Sequence, residues 1–369
     1  MIISQIKMKV PNYLDIFFCF ILLLCFCHVG AAAGSKLLPD NEEVSAIIVF
    51  GDSIVDPGNN NHLKTLIKCN FPPYGRDFNG GMPTGRFTNG KIPTDFVAEE
   101  FGVKELVPAY LHPHLTTQDL LTGVSFASGA SGYDPLTSKI TSVLSLSDQL
   151  ELFKDYIKKI KAAVGEEKAT AILSKSVIIV CTGSDDIANT YFITPFRRLH
   201  YDVASYTDLM LQSASSFFHQ LYALGARRIG VLSLPAIGCV PSQRTLFGGV
   251  ARGCSEAANS AALLFNSKLS SLITSLGNEY SDAKFVYLDV YTPFLALIQN
   301  PSEYGFEEAT KGCCGTGAIE VSVLCNPLSS KLSCPNPDKY IFWDSYHPTG
   351  NAYQVLTSRI IKDSLPNFF

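Results

Sequence analysis

Short apolar runs alternate along the chain with longer segments whose apolar residues recur at helical spacing. Ala46–Phe50 (AIIVF), Val177–Cys181 (VIIVC), Ile229–Leu234 (IGVLSL) and Phe285–Val290 (FVYLDV) are almost continuously apolar. Such runs suit strands of a parallel sheet covered on both faces. Between and after them, Ser147–Val164, Thr207–Leu224, Cys254–Leu276 and Thr349–Leu365 read as amphipathic helices. The first three end at Gly165, Gly225 and Gly277, and glycine just past a helix is a common stop. Strand–helix alternation predicts a doubly wound α/β domain. Asn70–Gly90 and Gly312–Pro337 are rich in turn residues and read as long surface loops of one domain rather than as boundaries.

The first segment stands outside this pattern. Lys7 and Lys9 precede an apolar run from Ile16 through Val29, and small residues follow from Gly30 to Gly34. Basic, apolar, small is the order of a secretory signal peptide. A signal anchor is the alternative, because the run approaches the lower length of a membrane span. The expected division is a leader over residues 1–34 and one domain over residues 35–369. No later stretch is apolar and long enough to span a membrane.

Cysteine use agrees with export. Once Cys19, Cys25 and Cys27 leave with the leader, Cys69, Cys181, Cys239, Cys254, Cys313, Cys314, Cys325 and Cys334 remain. An even count in a secreted chain reads as disulfides, although eight cysteines allow about a hundred pairings. Short loops favour Cys239–Cys254 and a knot among Cys313, Cys314, Cys325 and Cys334. Cys181 lies in an apolar run and reads equally as a buried thiol. No C-x-x-C pair marks a zinc site in the mature chain.

Composition adds exclusions. The chain is 47% hydrophobic and only 17% charged over 369 residues, so extended disorder is ruled out. Net charge is -4 and no basic block stands out, which argues against nucleic acid as a partner. Nothing indicates an oligomer, so a monomer is expected. G-x-S-x-G, H-E-x-x-H and Walker A patterns are absent, which removes their chemistries.

The strand AIIVF runs directly into Gly51-Asp52-Ser53. Ligands of parallel α/β sheets bind beyond the carboxyl ends of strands, so Ser53 stands where a nucleophile could act. The plainer reading is a helix cap at Asp52 and Ser53. A serine hydroxyl needs an adjacent base. Among the histidines, His112-Pro113-His114 is weak evidence for a metal, and His219 falls in a helical pattern. His347 differs, because Asp344 precedes it by three residues, just before Pro348-Thr349-Gly350 opens the last helix. That spacing lets the carboxylate fix the imidazole tautomer and leaves the other nitrogen for Ser53. A capping aspartate beside an exposed histidine is the alternative.

Two further segments could hold an oxyanion. Gly123–Gly132 is a run of small residues whose N–H groups could approach a ligand, or a tight packing loop. Thr182–Asp186 follows the strand VIIVC, and reads equally as a helix N-cap.

These pieces in this order resemble the plant GDSL-type esterase/lipases of the SGNH hydrolase superfamily, over essentially the whole mature chain. The carrying residues are Phe50–Ser53 with Asp56 and Gly58-Asn59-Asn60, Pro83–Lys91, Ser128–Gly132, Gly183–Asp186, Leu234–Pro241, and Asp344 with His347-Pro348-Thr349. The resemblance implies a flavodoxin-like, three-layer αβα sandwich with a mostly parallel sheet. It implies a Ser53–His347–Asp344 triad that hydrolyses small-molecule or lipid acyl esters without a cofactor or metal. With the leader it implies an extracellular, apoplastic protein. Its oxyanion hole would use the Ser53 N–H, an N–H of the small-residue loop assigned to Gly129 (Ala130 in the alternative register), and the side chain at position 185.

Position 185 departs from the family pattern. Gly-x-Asn-Asp is usual, and here Gly183-Ser184-Asp185-Asp186 stands in its place. An asparagine amide donates to an oxyanion, whereas an ionised aspartate only accepts. Either Asp185 is protonated in a dry pocket and donates, or the two backbone donors suffice, or catalysis is impaired. The leading expectation is a secreted esterase or lipase working through an acyl-enzyme. An acetyl esterase of wall polysaccharide and a weakened binding protein on the same fold are the alternatives.

Overall fold

The structure, a computed structural model, describes residues 43–369. The leader expected at residues 1–34 lies outside the described residues.

Four parallel strands lie side by side in chain order: β1 (Ile47–Gly51), β2 (Val177–Cys181), β3 (Arg228–Leu232) and β4 (Lys284–Leu288). Each falls within two residues of a run expected from the sequence. Ile47 pairs with Val177, Val177 with Arg228, and Arg228 with Lys284, so all four carboxyl ends share one edge.

A fifth, irregular chain runs along the free side of β1. Ile47 N–H donates to the Thr122 carbonyl (3.2 Å) and Val49 N–H to that of Val124 (3.1 Å). Phe126 N–H donates back to Val49 (2.7 Å), and Ser128 N–H to Gly51 (2.9 Å). Counting this segment in chain order gives 2-1-3-4-5, the flavodoxin-like order. Its switch point lies at the end of β1, where chain connections leave in opposite directions.

Helices cover both faces. Ile48, Phe50, Ile178 and Val180 point toward Leu146–Val164, Val203–Ala223 and Glu256–Glu279. There the Phe50 ring packs edge-on against Phe153 (5.3 Å) and Phe217 (5.5 Å). Alternate residues face the other way, toward Pro93–Glu100 and Gly350–Ser364. The expected three-layer αβα sandwich is therefore the fold.

The helix Leu146–Val164 starts at a capping box, with Ser145 and Asp148 exchanging side-chain and backbone bonds. It stops at Gly165, and a further helix, Glu166–Lys175, begins at once. The expected stop at Gly277 is overrun, since that helix continues to Glu279. A glycine in a helix costs about 1 kcal/mol relative to alanine. The buried Leu269, Ile273 and Leu276, within about two turns before it, outweigh that cost.

The two glycine- and proline-rich segments are not simple surface loops. Tyr74 and Phe87 from the first join Cys313, Cys314, Cys325 and Cys334 from the second around Trp343 in a buried cluster. Cys313–Cys334 and Cys314–Cys325 are disulfides, as is Cys239–Cys254. Cys69 and Cys181 are buried free thiols, so the eight cysteines yield three bridges rather than four.

Candidate active site

The sheet hands over Ser53 through a glycine that nothing else can replace. Gly51 has φ +142°, and a Cβ there would meet the Cys181 carbonyl oxygen at 1.9 Å. Asp52 N–H donates to that same carbonyl (3.0 Å), and Asp52 Oδ1 accepts the Ile54 N–H (3.0 Å). The turn places Ser53 just past the carboxyl edge of β1.

The partner histidine arrives from the other end of the chain. A short strand β6 (Tyr340–Phe342) pairs with β5 (Glu308–Gly312) and leads into the loop Trp343–His347. Trp343 N–H donates to the His347 carbonyl (2.7 Å), which closes the loop. His347 Nε2 lies 2.7 Å from Ser53 Oγ, and Nδ1 lies 2.9 Å from both carboxylate oxygens of Asp344. Asp344 Oδ1 also accepts the backbone N–H of Tyr346 (2.8 Å) and of His347 (2.7 Å). Tyr74 donates its phenol to Oδ2 (2.8 Å). A hydroxyl bonded to an imidazole that is backed by a buried, fully bonded carboxylate can lose its proton to attack a carbonyl.

The segment Pro83–Lys91 braces this histidine. Thr88 Oγ1 donates to the Pro348 carbonyl (2.9 Å), and Asn89 Oδ1 accepts the Gly350 N–H (2.9 Å). The Phe87 ring lies 5.2 Å from the imidazole. Arg86 grips Asp95 with two bonds of 2.8 Å each, and so anchors the segment on the helix Pro93–Glu100.

The small-residue loop is held from below by Gly58-Asn59-Asn60 and Asp56. Asn59 Nδ2 donates to the carbonyls of Ser125 and Ala127 (2.8 Å each), and Asn60 Nδ2 to that of Gly129 (3.0 Å). Asp56 Oδ1 accepts Gly58 and Asn59 N–H (2.8 and 2.7 Å), while Oδ2 accepts Gly129 N–H (3.0 Å). Burial pushes Asp56 up to about 6, against the pull of those N–H groups. Gly129 was the expected oxyanion donor, and its N–H is committed to Asp56 instead. Ala130, the alternative register, has φ +66° and lines the cavity at Ser53. Among the described residues, neither the Ser53 nor the Ala130 N–H has an acceptor.

Asp185 also lines that cavity, at the start of a π-helix over Asp186–Ile193. Its Oδ1 accepts from Asn189 Nδ2 (2.5 Å), and Asn189 Oδ1 accepts from the Tyr346 hydroxyl (2.7 Å). Burial raises Asp185 to about 6, while the neighbouring His347 and the Asn189 bond pull the other way. Asp186 points away, accepting N–H bonds from Tyr133 (2.8 Å) and Asp134 (3.1 Å) and a hydroxyl from Thr137 (2.5 Å). Burial raises it to about 8.

Sequence reasoning missed Tyr74, Asn189 and Tyr346. Asn189 carried a signal, since it follows Asp185 by one helical turn. Tyr74 carried none, being 270 residues from Asp344. His112 and His114 lie close together, and no group of three potential metal ligands gathers among the described residues.

Known proteins show similarity over most of the chain. The family model for GDSL-like lipase/acylhydrolase matches residues 47–360. The GDSL esterase/lipase EXL3 of Arabidopsis thaliana is 54% identical over 94% of this chain and 95% of its own. EXL2 of the same plant is 48% identical over 93% and 94%. Among solved structures, a phospholipase A1 from Streptomyces albidoflavus aligns with 86% of this chain and 99% of its own at 14% identity, with a TM-score of 0.39.

Proposed function

The chain belongs to the GDSL-like lipase/acylhydrolase family and is a carboxylic ester hydrolase, and on that premise we propose that it works through Ser53, His347 and Asp344 by way of an acyl-enzyme. The observation that carries this reading is the unbroken line from Ser53 Oγ to His347 Nε2 (2.7 Å) and from Nδ1 to Asp344 (2.9 Å). Ser53 attacks the ester carbonyl while His347 takes its proton. Asp344 holds the imidazole in the tautomer that presents Nε2. His347 then protonates the leaving alcohol, and water releases the acyl group by the same route.

The developing oxyanion meets the free N–H groups of Ser53 and Ala130. Asp185 supplies a third donor when protonated, which its pKa, raised by burial to about 6, supports below that pH. The leader-like first segment and the three disulfides support export to the extracellular space, as a domain from about residue 35 onward. The substrate is a lipid or small acyl ester. One observation favours a weakened binding protein instead, namely the aspartate in place of the family's asparagine.

The test is hydrolysis of p-nitrophenyl esters from acetate to palmitate by the mature, oxidised protein beside Ser53→Ala. Wild type is expected to turn over several esters and Ser53→Ala none. A folded wild type no faster than Ser53→Ala on any ester moves the binding reading ahead.

A further inference from the structure

The cavity at Ser53 does not end at the triad. It has a volume of about 310 Å³, within the usual range of small-molecule sites, and it continues beneath the sheet. Its roof is the sheet face that carries Ile179, Cys181, Leu232 and Leu288. Its floor is built by two helices. Pro93–Glu100 and the residue after it offer Pro93, Val97 and Phe101, spaced by four. Gly350–Ser364 offers Tyr353, Leu356, Thr357, Ile360 and Ile361, the i, i+3, i+4 stripe of one helix face. Phe368 lies at the far end, against Gly230 of β3.

The lining is graded. Its polar atoms gather at the Ser53 end, where Asp52 Oδ2 and the Tyr353 hydroxyl are buried without a hydrogen-bond partner. Away from Ser53 the walls are almost wholly aliphatic and aromatic. From β1 to β4 the channel crosses three strand spacings, or about 14 Å. An acetyl group occupies only its mouth. Side chains at helical spacing usually close such a space by interdigitating, and here they leave it open.

We infer that this channel is the acyl-chain subsite, and that it takes a long fatty acyl group with its carbonyl at Ser53 and its tail between the sheet and the helix Gly350–Ser364. The assignment rests on the hydrolase reading and narrows the substrate to long-chain acyl esters. An apolar tail in a preformed apolar channel gains its affinity by leaving water, so selectivity grows with chain length until Phe368 and Ile361 are reached.

The experiment has two arms. In the first, the ratio of palmitate to acetate p-nitrophenyl ester hydrolysis is compared between wild type and Ile361→Trp, a half-buried position chosen because an indole there can project into the channel without unfolding the helix. The ratio is expected to fall by about tenfold or more. An unchanged ratio overturns the assignment. In the second, palmitate binding to Ser53→Ala is followed by calorimetry, with and without Ile361→Trp. Saturable binding that Ile361→Trp weakens supports the channel even where no ester is cleaved, so failure of catalysis and failure of the subsite are told apart. No binding to a folded Ser53→Ala overturns it.

Discussion

Tyr74 donates its hydroxyl to Asp344 Oδ2 at 2.8 Å, and the same phenolic oxygen accepts the backbone N–H of Ser322 at 2.8 Å. One side chain thus ties the triad's carboxylate to the disulfide-bonded segment. Asp344 is fully buried, and its oxygens have no water to fall back on when a donor is lost. Tyr74→Phe is expected to lower kcat by about 10- to 100-fold with KM nearly unchanged, because a bond to a buried charge contributes roughly 1.5–3 kcal/mol. Steady-state kinetics on a short ester checks it. An equal change in KM alone would assign Tyr74 to substrate binding.

Asp185 gives a pH-dependent signature. Its carboxyl, raised by burial to about 6, is a donor below that pH and a repelling charge above it. The kcat of Asp185→Asn relative to wild type is therefore expected to rise from pH 5 to pH 8. It should reach at most about 10²-fold, the effect of one oxyanion donor. A flat ratio over that range would refute a donor role. Stability moves in a related way. The folded pKa exceeds the ordinary aspartate value of 3.8, so the folded state binds the extra proton, and wild-type stability declines as pH climbs from about 4 through about 6. Asp185→Asn lacks the share of that decline due to Asp185, while the shares of Asp56 and Asp186 remain, and thermal melts of both proteins measure the difference.

Asp56 is a positioning residue for the small-residue loop. Asparagine in its place turns an amide N–H₂ toward one of the N–H groups the carboxylate now accepts, at Gly129 or at Gly58 and Asn59. Asp56→Asn is expected to reduce kcat by about 10- to 100-fold as the Ala130 N–H leaves its place. KM for a short ester should change little, and a rise in KM with kcat intact would mean that the loop shapes binding instead.

The bridge Cys313–Cys334 closes a loop of 21 residues beside the triad. Cys313 and Cys314 donate their N–H groups to the carbonyls of Phe342 and Trp343 (2.9 and 2.7 Å), immediately before Asp344. The double variant Cys313→Ser, Cys334→Ser is expected to lose about 3 kcal/mol of stability in denaturant titration. Activity should fail at a lower denaturant concentration than helix content. Coincident loss of the two would place the bridge's effect on the whole fold.

The sheet was legible in the sequence because strands buried on both faces carry apolar residues at nearly every position, as VIIVC does in β2. The fifth chain at residues 122–128 was not. Apart from Val124 and Phe126 its residues are small or polar, and its bonds go to a strand more than 70 residues earlier. Ser53, Asp344 and His347 were legible from local motifs at either end of the chain. The small-residue loop was legible as a segment, but which of its N–H groups is left free was not. What separates Gly129 from Ala130 is an acceptor on Asp56, 73 residues away, which no local pattern encodes. Short loops pointed to Cys239–Cys254 and to a knot among the last four cysteines, but neither the pairing within that knot nor the depth of the glycine- and proline-rich segments was legible. Their turn residues are the same whether they lie on the surface or fold inward over Trp343.

Ser53 and His347 are 294 residues apart, one at the end of the first strand and the other just before the last helix. On the proposed mechanism, the order of synthesis separates the nucleophile from its base. The serine emerges early and the histidine nearly last, so a partly made chain carries a nucleophile with no base to arm it. Under that mechanism the pair is complete only once the chain as far as His347 has joined the fold.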